Sequence, residues 1–261
     1  MVTISVDLPR EFQEIELHIF ADEHIGDPNS DLKRLKERID KVANTPNAYC
    51  VLNGDIIDNA TKTSLGDVYA AKMKPMEQLE KACELFAPIQ DRILAITRGN
   101  HEARTYIREG IDISKLMAKE FDILDRYSTG AAILFIRFGT AHKKRGSSRY
   151  DNFVVFLVHG TGGGRKEGAK AIRLADMAAI ATADIYIHGH THLPLVMKEA
   201  HFVVDKPNHH VRLEDRLFVN AASNMGYGGY GEEKEYKPNS TAMPVIHLYA
   251  GRLHNRMEAT L

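Results

Sequence analysis

Five short motifs rich in carboxylate, amide and imidazole side chains follow one another along this sequence. They are Asp22-Glu23-His24, Gly54-Asp55-Ile56-Ile57-Asp58, Gly99-Asn100-His101-Glu102, His159-Gly160 and Gly189-His190-Thr191-His192. Such oxygen and nitrogen donors suit divalent Mn, Fe, Zn and Ni. Seven donors are too many for one tetrahedral ion but suit two ions that share a carboxylate: Asp22, His24, Asp55, Asn100, His159, His190 and His192. Because two ions about 3.5–4 Å apart form a clamp for in-line displacement at phosphorus, the motifs predict phosphoryl chemistry.

Each motif begins where a short run of apolar, branched residues ends. The runs cover residues 15–21, 49–53, 93–97, 153–158 and 184–187, and each predicts a buried strand. In α/β folds the loops that follow the C-terminal ends of strands hold the reactive residues. We therefore expect the five motifs to meet at one edge of a sheet.

Helical periodicity fills the segments between the strands. Helices are predicted over residues 31–43 with Ser30 as N-cap, 65–86 with an interruption near Pro75, 111–120 and 167–181. Residues 131–138 and 152–158 predict an antiparallel pair, and further strands are predicted over 201–204, 216–220 and 244–249. Early β/α alternation followed by a run of strands predicts an α/β (α+β) fold in which two packed sheets are flanked by helices. We expect residues 1–261 to form one domain, in which 193–261 is a strand-rich C-terminal part with a candidate lid loop at 226–240.

Composition narrows the class of protein. The chain has 261 residues, 44% hydrophobic and 26% charged, with a formal net charge of −1. A net charge this small does not attract the protein as a whole to nucleic acid or to an anionic membrane surface. Cys50 and Cys83 form no disulfide framework, which fits a reducing compartment. Residues 1–14 lack the apolar segment of a signal peptide and no long apolar run predicts a membrane span, so we expect a cytoplasmic protein.

The order of the motifs from Asp22 to His192 resembles that of the calcineurin-like metallophosphoesterase superfamily. The resemblance implies a helix-flanked β-sandwich, the αββα metallophosphoesterase fold, with a dinuclear site on loops at one sheet edge. It assigns Asp22, His24 and His192 to one metal, Asn100, His159 and His190 to the other, and Asp55 to both. A carboxylate can bridge because its two oxygens have lone pairs in different directions. We also expect an extended backbone at 190–192 to direct both imidazoles to the same side.

The resemblance also implies a mechanism. Two ions lower the pKa of a shared water, and the resulting hydroxide attacks phosphorus in line. His101 is expected to act as the general acid that protonates the leaving oxygen, and Asp58 to orient it. Glu102 is expected to be a structural hydrogen-bonding residue, and His188 a strand-end residue.

Substrate contacts are less clearly indicated. Protein phosphatases of the superfamily have an arginine after the Gly-Asp-x-x-Asp element, where this chain has Asn59, which favours a phosphodiester or a small molecule. Basic residues at 142–145 and 149 predict a charged hairpin tip, and Tyr227, Tyr230 and Tyr236 could stack on a nucleobase. Candidate substrate-binding residues are Asn59, Arg98, Arg104, Arg165 and Lys166.

Several functions stay open at this level. A metal-dependent phosphodiesterase is the leading hypothesis, and a nuclease is a variant that the near-zero net charge opposes. A phosphomonoesterase or protein phosphatase, a purple-type acid phosphatase and a non-catalytic metal-binding scaffold are the alternatives. Mn is the favoured metal over Fe, Zn and Ni. No pattern in the sequence indicates an oligomeric state.

Overall fold

The structure is a computed structural model that describes residues 1–62, 64, 68–141, 150–162, 164–252 and 254–261. Over these residues the chain folds into two six-stranded mixed sheets with helices on their outer faces. The first sheet contains, in spatial order, β1 (Val2–Asp7), β6 (Ala132–Phe138), β7 (Asp151–Val158), β8 (Ile185–His188), β10 (His210–Asn220) and β9 (Leu195–Asp205). The second contains β12 (Met257–Thr260), β11 (Val245–Tyr249), β2 (Glu14–Phe20), β3 (Ala48–Asn53), β4 (Ile93–Thr97) and β5 (Tyr127–Ser128). The helices are α1 (Leu32–Asn44), α2 (Pro75–Phe86), α3 (Asn100–Glu109), α4 (Ile113–Glu120), α5 (Glu167–Ala175) and α6 (Tyr230–Glu233).

The strands that precede the motifs are parallel within each sheet. In the second sheet β2, β3 and β4 run in the same direction, and in the first sheet β7, β8 and β10 do so. Parallel strands end at a common edge, so all five motifs emerge on the same side of the sandwich. The five predicted strands are thus confirmed, as is the antiparallel pairing of β6 with β7.

Three apolar layers hold the sandwich together. Between the sheets, alternate residues of the strands, such as Leu17, Ile19, Val155 and Leu157, are fully buried. On the outer face of the second sheet, α1 contributes Leu35, Ile39 and Val42 at three- and four-residue spacing. A smaller cluster on the first sheet includes Phe156, Leu174, Tyr186 and Phe218.

Several predicted helix boundaries need correction. The N-cap of α1 is Asp31, whose side chain accepts from Arg34 N, whereas Ser30 Oγ donates to the Glu23 carbonyl. Helix α2 begins only at Pro75, because proline suits the first helical position and lacks the N–H needed further in. Helix α5 ends at Ala175 and continues as a short 3-10 turn. Strand β1 and helix α3 were not predicted at all.

The candidate lid loop is held by two contacts with other parts of the chain. Gly226 N donates to Asn29 O. Arg165, which lies just before α5, donates from Nη2 to the carbonyl of Lys234. A lid function for this loop stays a prediction. The predicted basic tip at 142–149 lies outside the described residues. In the part of the chain that the structure describes, no helix is long and apolar enough to cross a membrane.

Candidate metal centre

The motif loops are linked by backbone hydrogen bonds and adopt an unusual backbone conformation. Asp22 N donates to Gly54 O at 3.1 Å and His24 N donates to Asp55 O at 3.0 Å, so the first two motifs lie side by side. Left-handed φ values between 46° and 62° occur at Asp22, His24, Asp55, Asn59, His190 and His192. This conformation costs non-glycine residues about 1–3 kcal/mol each, and it concentrates where function requires a particular side-chain direction.

One group of donors consists of Asp22, His24 and His192. Their ligand atoms all lie within 4.8 Å of one another. Asp22 Oδ1 is 3.1 Å from His192 Nε2, and the Nε2 atoms of His24 and His192 are 3.4 Å apart. Asp22 and His24 are buried, so two of the three donors in this group are shielded from solvent.

A second group consists of Asp55, His159 and His190, with Asn100 beside them. Asp55 Oδ2 is 3.2 Å from His159 Nε2. Asn100 Oδ1 lies 2.6 Å from His190 Nδ1 and 3.1 Å from His159 Nε2. The structure thus brings all seven predicted donors together in two adjacent groups.

Unpaired buried atoms and charges show that these donors fit divalent cations. Among the described residues, His24 Nδ1 is buried without a hydrogen-bond partner, and Asp22 Oδ1 is buried with the His192 imidazole as its close contact at 3.1 Å. Burial, aided by the nearby His101, lowers the pKa of His24 to about 3, so its imidazole is neutral, as a metal ligand must be. Burial opposes protonation of His159, but the Asp55 carboxylate outweighs it and raises the pKa of His159 to about 10. The Asp55 carboxylate thus favours positive charge at this position, and a divalent cation can supply it.

A layer of hydrogen bonds behind the donors fixes their orientation. His159 Nδ1 donates to Asn53 O at 2.8 Å, which leaves Nε2 facing Asp55 and Asn100. Asp22 Oδ2 accepts from His190 N at 2.9 Å, so a carboxylate of the first motif anchors the last motif. Such partners typically set the orientation and basicity of metal ligands.

Glu102 holds the loop that carries Asp55. Its Oε2 accepts from Asp55 N at 3.0 Å and Gly99 N at 3.1 Å, and its Oε1 accepts from Ile56 N at 2.7 Å and Ile57 N at 3.2 Å. Burial and the neighbouring Asp55 raise the pKa of Glu102, and the amide donors oppose that shift. The carboxylate is fully buried, consistent with the expected structural role.

His101 is held by Asp58 and faces Arg104. Its Nδ1 lies 2.7 Å from the Asp58 carbonyl and 3.2 Å from Asp58 Oδ1, and since a carbonyl only accepts, Nδ1 carries the proton. Arg104 Nη2 lies 2.9 Å from His101 Nε2. Burial disfavours the charged form, but Asp55 and Asp58 outweigh it and raise the pKa of His101.

The other predicted substrate-binding residues are engaged elsewhere or lie apart from the metal donors. Asn59 is fully buried, and its side chain donates to His101 O and accepts from Thr105 Oγ1, so the expected substrate contact through Asn59 is not available. Arg98 pairs with Asp112 at 3.0 Å. In the described part of the chain, no hydrogen bond or ion pair links Arg165 or Lys166 to a metal donor. They line a separate depression beside the candidate lid loop.

One further sequence expectation changes. His190 and His192 have left-handed rather than extended backbone, and they lie in the two different donor groups that the resemblance implied. The sequence reasoning also missed Ser223 and Asn224, whose Oγ and backbone N donate to the Asp22 carbonyl. Their position directly after the predicted strand 216–220, like that of the five motifs, was the available signal.

Comparison with known proteins gives one extended sequence match. The sequence model of calcineurin-like phosphoesterases matches residues 24–194, more than half of the chain. No curated protein sequence matches.

Solved structures with a similar chain trace share little sequence with this chain. A metallophosphoesterase from Sphaerobacter thermophilus is 12% identical, with 95% of this chain and 89% of that chain covered and a TM-score of 0.42. A predicted phosphoesterase from Streptococcus pneumoniae is 14% identical, with 95% and 97% covered and a TM-score of 0.38. Vps29 from Entamoeba histolytica in complex with zinc is 12% identical, with 94% and 97% covered and a TM-score of 0.36.

Proposed function

The chain belongs to the calcineurin-like phosphoesterase family, and from that premise we propose that it is a dinuclear-metal-dependent enzyme that hydrolyses phosphodiesters. The observation that carries the proposal is the convergence of seven donors from five separate motifs into two adjacent groups. A non-catalytic scaffold would not need His101 and Asp58 next to these groups. Their placement, with His101 Nε2 3.8 Å from Asp55 Oδ2, therefore favours an enzyme.

The proposed ligand sets follow the two groups. Asp22, His24 and His192 would hold one ion, Asn100, His159 and His190 the other, and Asp55 would contact both. Mn²⁺ is the proposed metal, and Fe, Zn and Ni suit the same donors. When bound, two such ions supply an activated water and neutralise charge on the phosphate oxygens.

In this proposal His101 donates a proton to the leaving oxygen, an effect typically worth about 10²–10⁴-fold. Asp58 is its positioning residue, because both the carbonyl and the carboxylate of Asp58 contact Nδ1 and leave Nε2 for the substrate. Arg104 at present occupies the space in front of Nε2. For His101 to meet a leaving oxygen the guanidinium must move aside, where it can bind a phosphate oxygen.

A phosphomonoesterase is the second candidate. Arg104 favours it, since a guanidinium beside the site could balance the extra negative charge of a monoester. Two features favour the diester. Arg98 is engaged with Asp112, and the position that carries an arginine in the protein phosphatases is the buried Asn59.

The deciding experiment compares bis-p-nitrophenyl phosphate with p-nitrophenyl phosphate on chelator-stripped protein to which Mn²⁺ is returned. We expect metal-dependent hydrolysis with a higher kcat/KM for the diester. The Asp55→Asn variant, purified in parallel, controls for contaminating phosphatases. A preference for the monoester would replace the proposal by the phosphatase, and binding of two metals with no hydrolysis of either ester would contradict it.

A further inference from the structure

A cleft of about 640 Å³ opens directly beside the second donor group. The residues that line it include Asn100 and His159, two of the predicted metal donors, together with Gly160 and His188. Arg98, Ala103, Thr129 and Gly130 line it as well. The volume lies in the range of about 300–1,000 Å³ that is typical of small-molecule sites. The cleft is thus continuous with the metal centre.

A further part of the lining is a stripe of mainly apolar residues on α5, on the 3-10 turn Asp176–Ala179 that follows it and at Ile180. The residues at the cleft are Ala169, Ile172, Arg173, Asp176, Met177 and Ile180. Their spacing of three, one, three, one and three residues places them on one side of a helix. Leu174, which packs into the core, is fully buried, whereas Ile172 and Ile180 are each 65% exposed. Two large apolar side chains of this stripe, Ile172 and Ile180, are therefore left largely uncovered by the part of the chain that the structure describes.

Both arginines of the cleft are engaged with other residues of the chain. Arg98 pairs with Asp112, and Arg173 Nη1 donates to Thr161 Oγ1 at 3.2 Å. His188 Nδ1 lies 2.7 Å from the Gly189 carbonyl and therefore carries the proton. The ring packs against Gly160, where an added Cβ would come within 2.0 Å of Nε2. The absence of a side chain at Gly160 therefore allows the His188 ring to pack there.

We propose that this cleft binds an apolar, aromatic ester group of the substrate while the phosphate occupies the metal centre. The inference rests on the proposed phosphodiesterase function and narrows it to diesters with one aromatic or similarly apolar substituent. His101 and Arg104 do not line the cleft. Because His101 is the proposed acid for the leaving oxygen, the group in the cleft is the ester group that stays on phosphorus.

The test varies only the retained ester group. Methyl p-nitrophenyl phosphate and 1-naphthyl p-nitrophenyl phosphate share a leaving group, so a difference in kcat/KM reports on the second substituent. We expect the naphthyl ester to be favoured by about tenfold or more, the usual effect of added apolar contact in a pocket. The double variant Ile172→Asn, Ile180→Asn should lose most of that preference, measured as the ratio of kcat/KM for the two esters.

A matched control and a binding measurement complete the test. Ile107 is 79% exposed on α3 and does not line the cleft, so Ile107→Asn should leave the preference unchanged. Calorimetry should show tighter binding of 1-naphthylphosphonate than of methylphosphonate to the Mn²⁺-loaded protein, and the double variant should bind the two alike.

Hydrolysis of both esters at equal kcat/KM would overturn the cleft assignment and leave the proposed function intact. Loss of the preference in Ile107→Asn would overturn it as well. A change of oligomeric state in the double variant would instead assign the cleft to a second copy of the chain. Hydrolysis of neither ester would refute the proposed function together with this inference.

Discussion

Replacing Glu102 with glutamine changes one atom at the support of the metal centre. The carboxylate accepts four backbone N–H groups, two on each oxygen, from Asp55, Ile56, Ile57 and Gly99. Glutamine converts one oxygen into an NH₂ group, which cannot accept. Whichever way the amide is oriented, two buried N–H groups lose their acceptor.

The size of the effect follows from that count. A buried donor left without a partner costs about 1–3 kcal/mol, so Glu102→Gln should destabilise the fold by about 2–6 kcal/mol. Glu102→Ala, which removes the acceptor of all four amides, should cost more. Because the loop carries Asp55, we also expect the affinity for Mn²⁺ to fall by about 10–100-fold, as for other residues that orient metal ligands.

Urea unfolding followed by circular dichroism measures the first effect, and it is performed with chelator because bound metal would add its own stabilisation. Calorimetric titration with Mn²⁺ measures the second effect. Glu109→Gln is the matched control, since Glu109 lies exposed at the end of the same helix and should change stability by less than about 0.5 kcal/mol. A loss below about 1 kcal/mol for Glu102→Gln, with unchanged Mn²⁺ affinity, would refute the role assigned to the carboxylate.

Three further predictions concern Asp55, His101 and His18. Asp55→Asn should lose both ions by elemental analysis, because an amide offers only one oxygen; retention of two full ions would refute the bridge. The His101→Ala variant should keep its metal. Its kcat should fall more for esters with poor leaving groups than for activated esters, by a factor of up to about 10²–10⁴. An equal decrease on both would contradict the role of His101 as acid. Burial lowers the pKa of His18 to about 4. As the pH falls, the His18 imidazole binds a proton in the unfolded chain at a higher pH than in the folded chain. The free energy of unfolding should therefore fall by about 2–3 kcal/mol between about pH 6.5 and about pH 4.5. His18→Gln should show a correspondingly smaller difference between urea midpoints at these pH values.

The sequence predicted the strands before the motifs more accurately than the helices. Strands β3 and β4 differ from their predicted ranges by at most one residue, because each is a short apolar run that ends at a glycine or arginine. Helix α3 was not predicted, even though it begins at Asn100 within one of the recognised motifs. It carries few apolar residues, and Glu102 is its buried residue, so it has no apolar stripe to indicate a helix. Its start is set by the metal-site motif and by Glu102, not by an apolar stripe.

The donor set was predicted from residue types and order, but the grouping of its atoms could not be worked out from spacing. Spacing alone predicted that His190 and His192 point to one side, whereas the resemblance assigned them to different metals, and they do lie in different donor groups with left-handed backbone. Strain of this kind is set by contacts far away in sequence, here the hydrogen bond from His190 N to Asp22 Oδ2. The buried position of Asn59 depends in the same way on Thr105 and the His101 carbonyl.

The sequence by itself determined the family, the two-sheet architecture and the chemistry of the donors. Strand periodicity and the order of polar residues after each strand are local patterns. They involve residues that are neighbours in the chain, so they can be recognised in the sequence. Tertiary structure alone decided which arginines are already engaged, where the cleft opens and which residues hold the donors in place. These features depend on distances between segments far apart in the sequence, such as Asp22 and Ser223, which are 201 residues apart. Such distances are fixed only when the two sheets pack and bring the ends of their parallel strands to one edge.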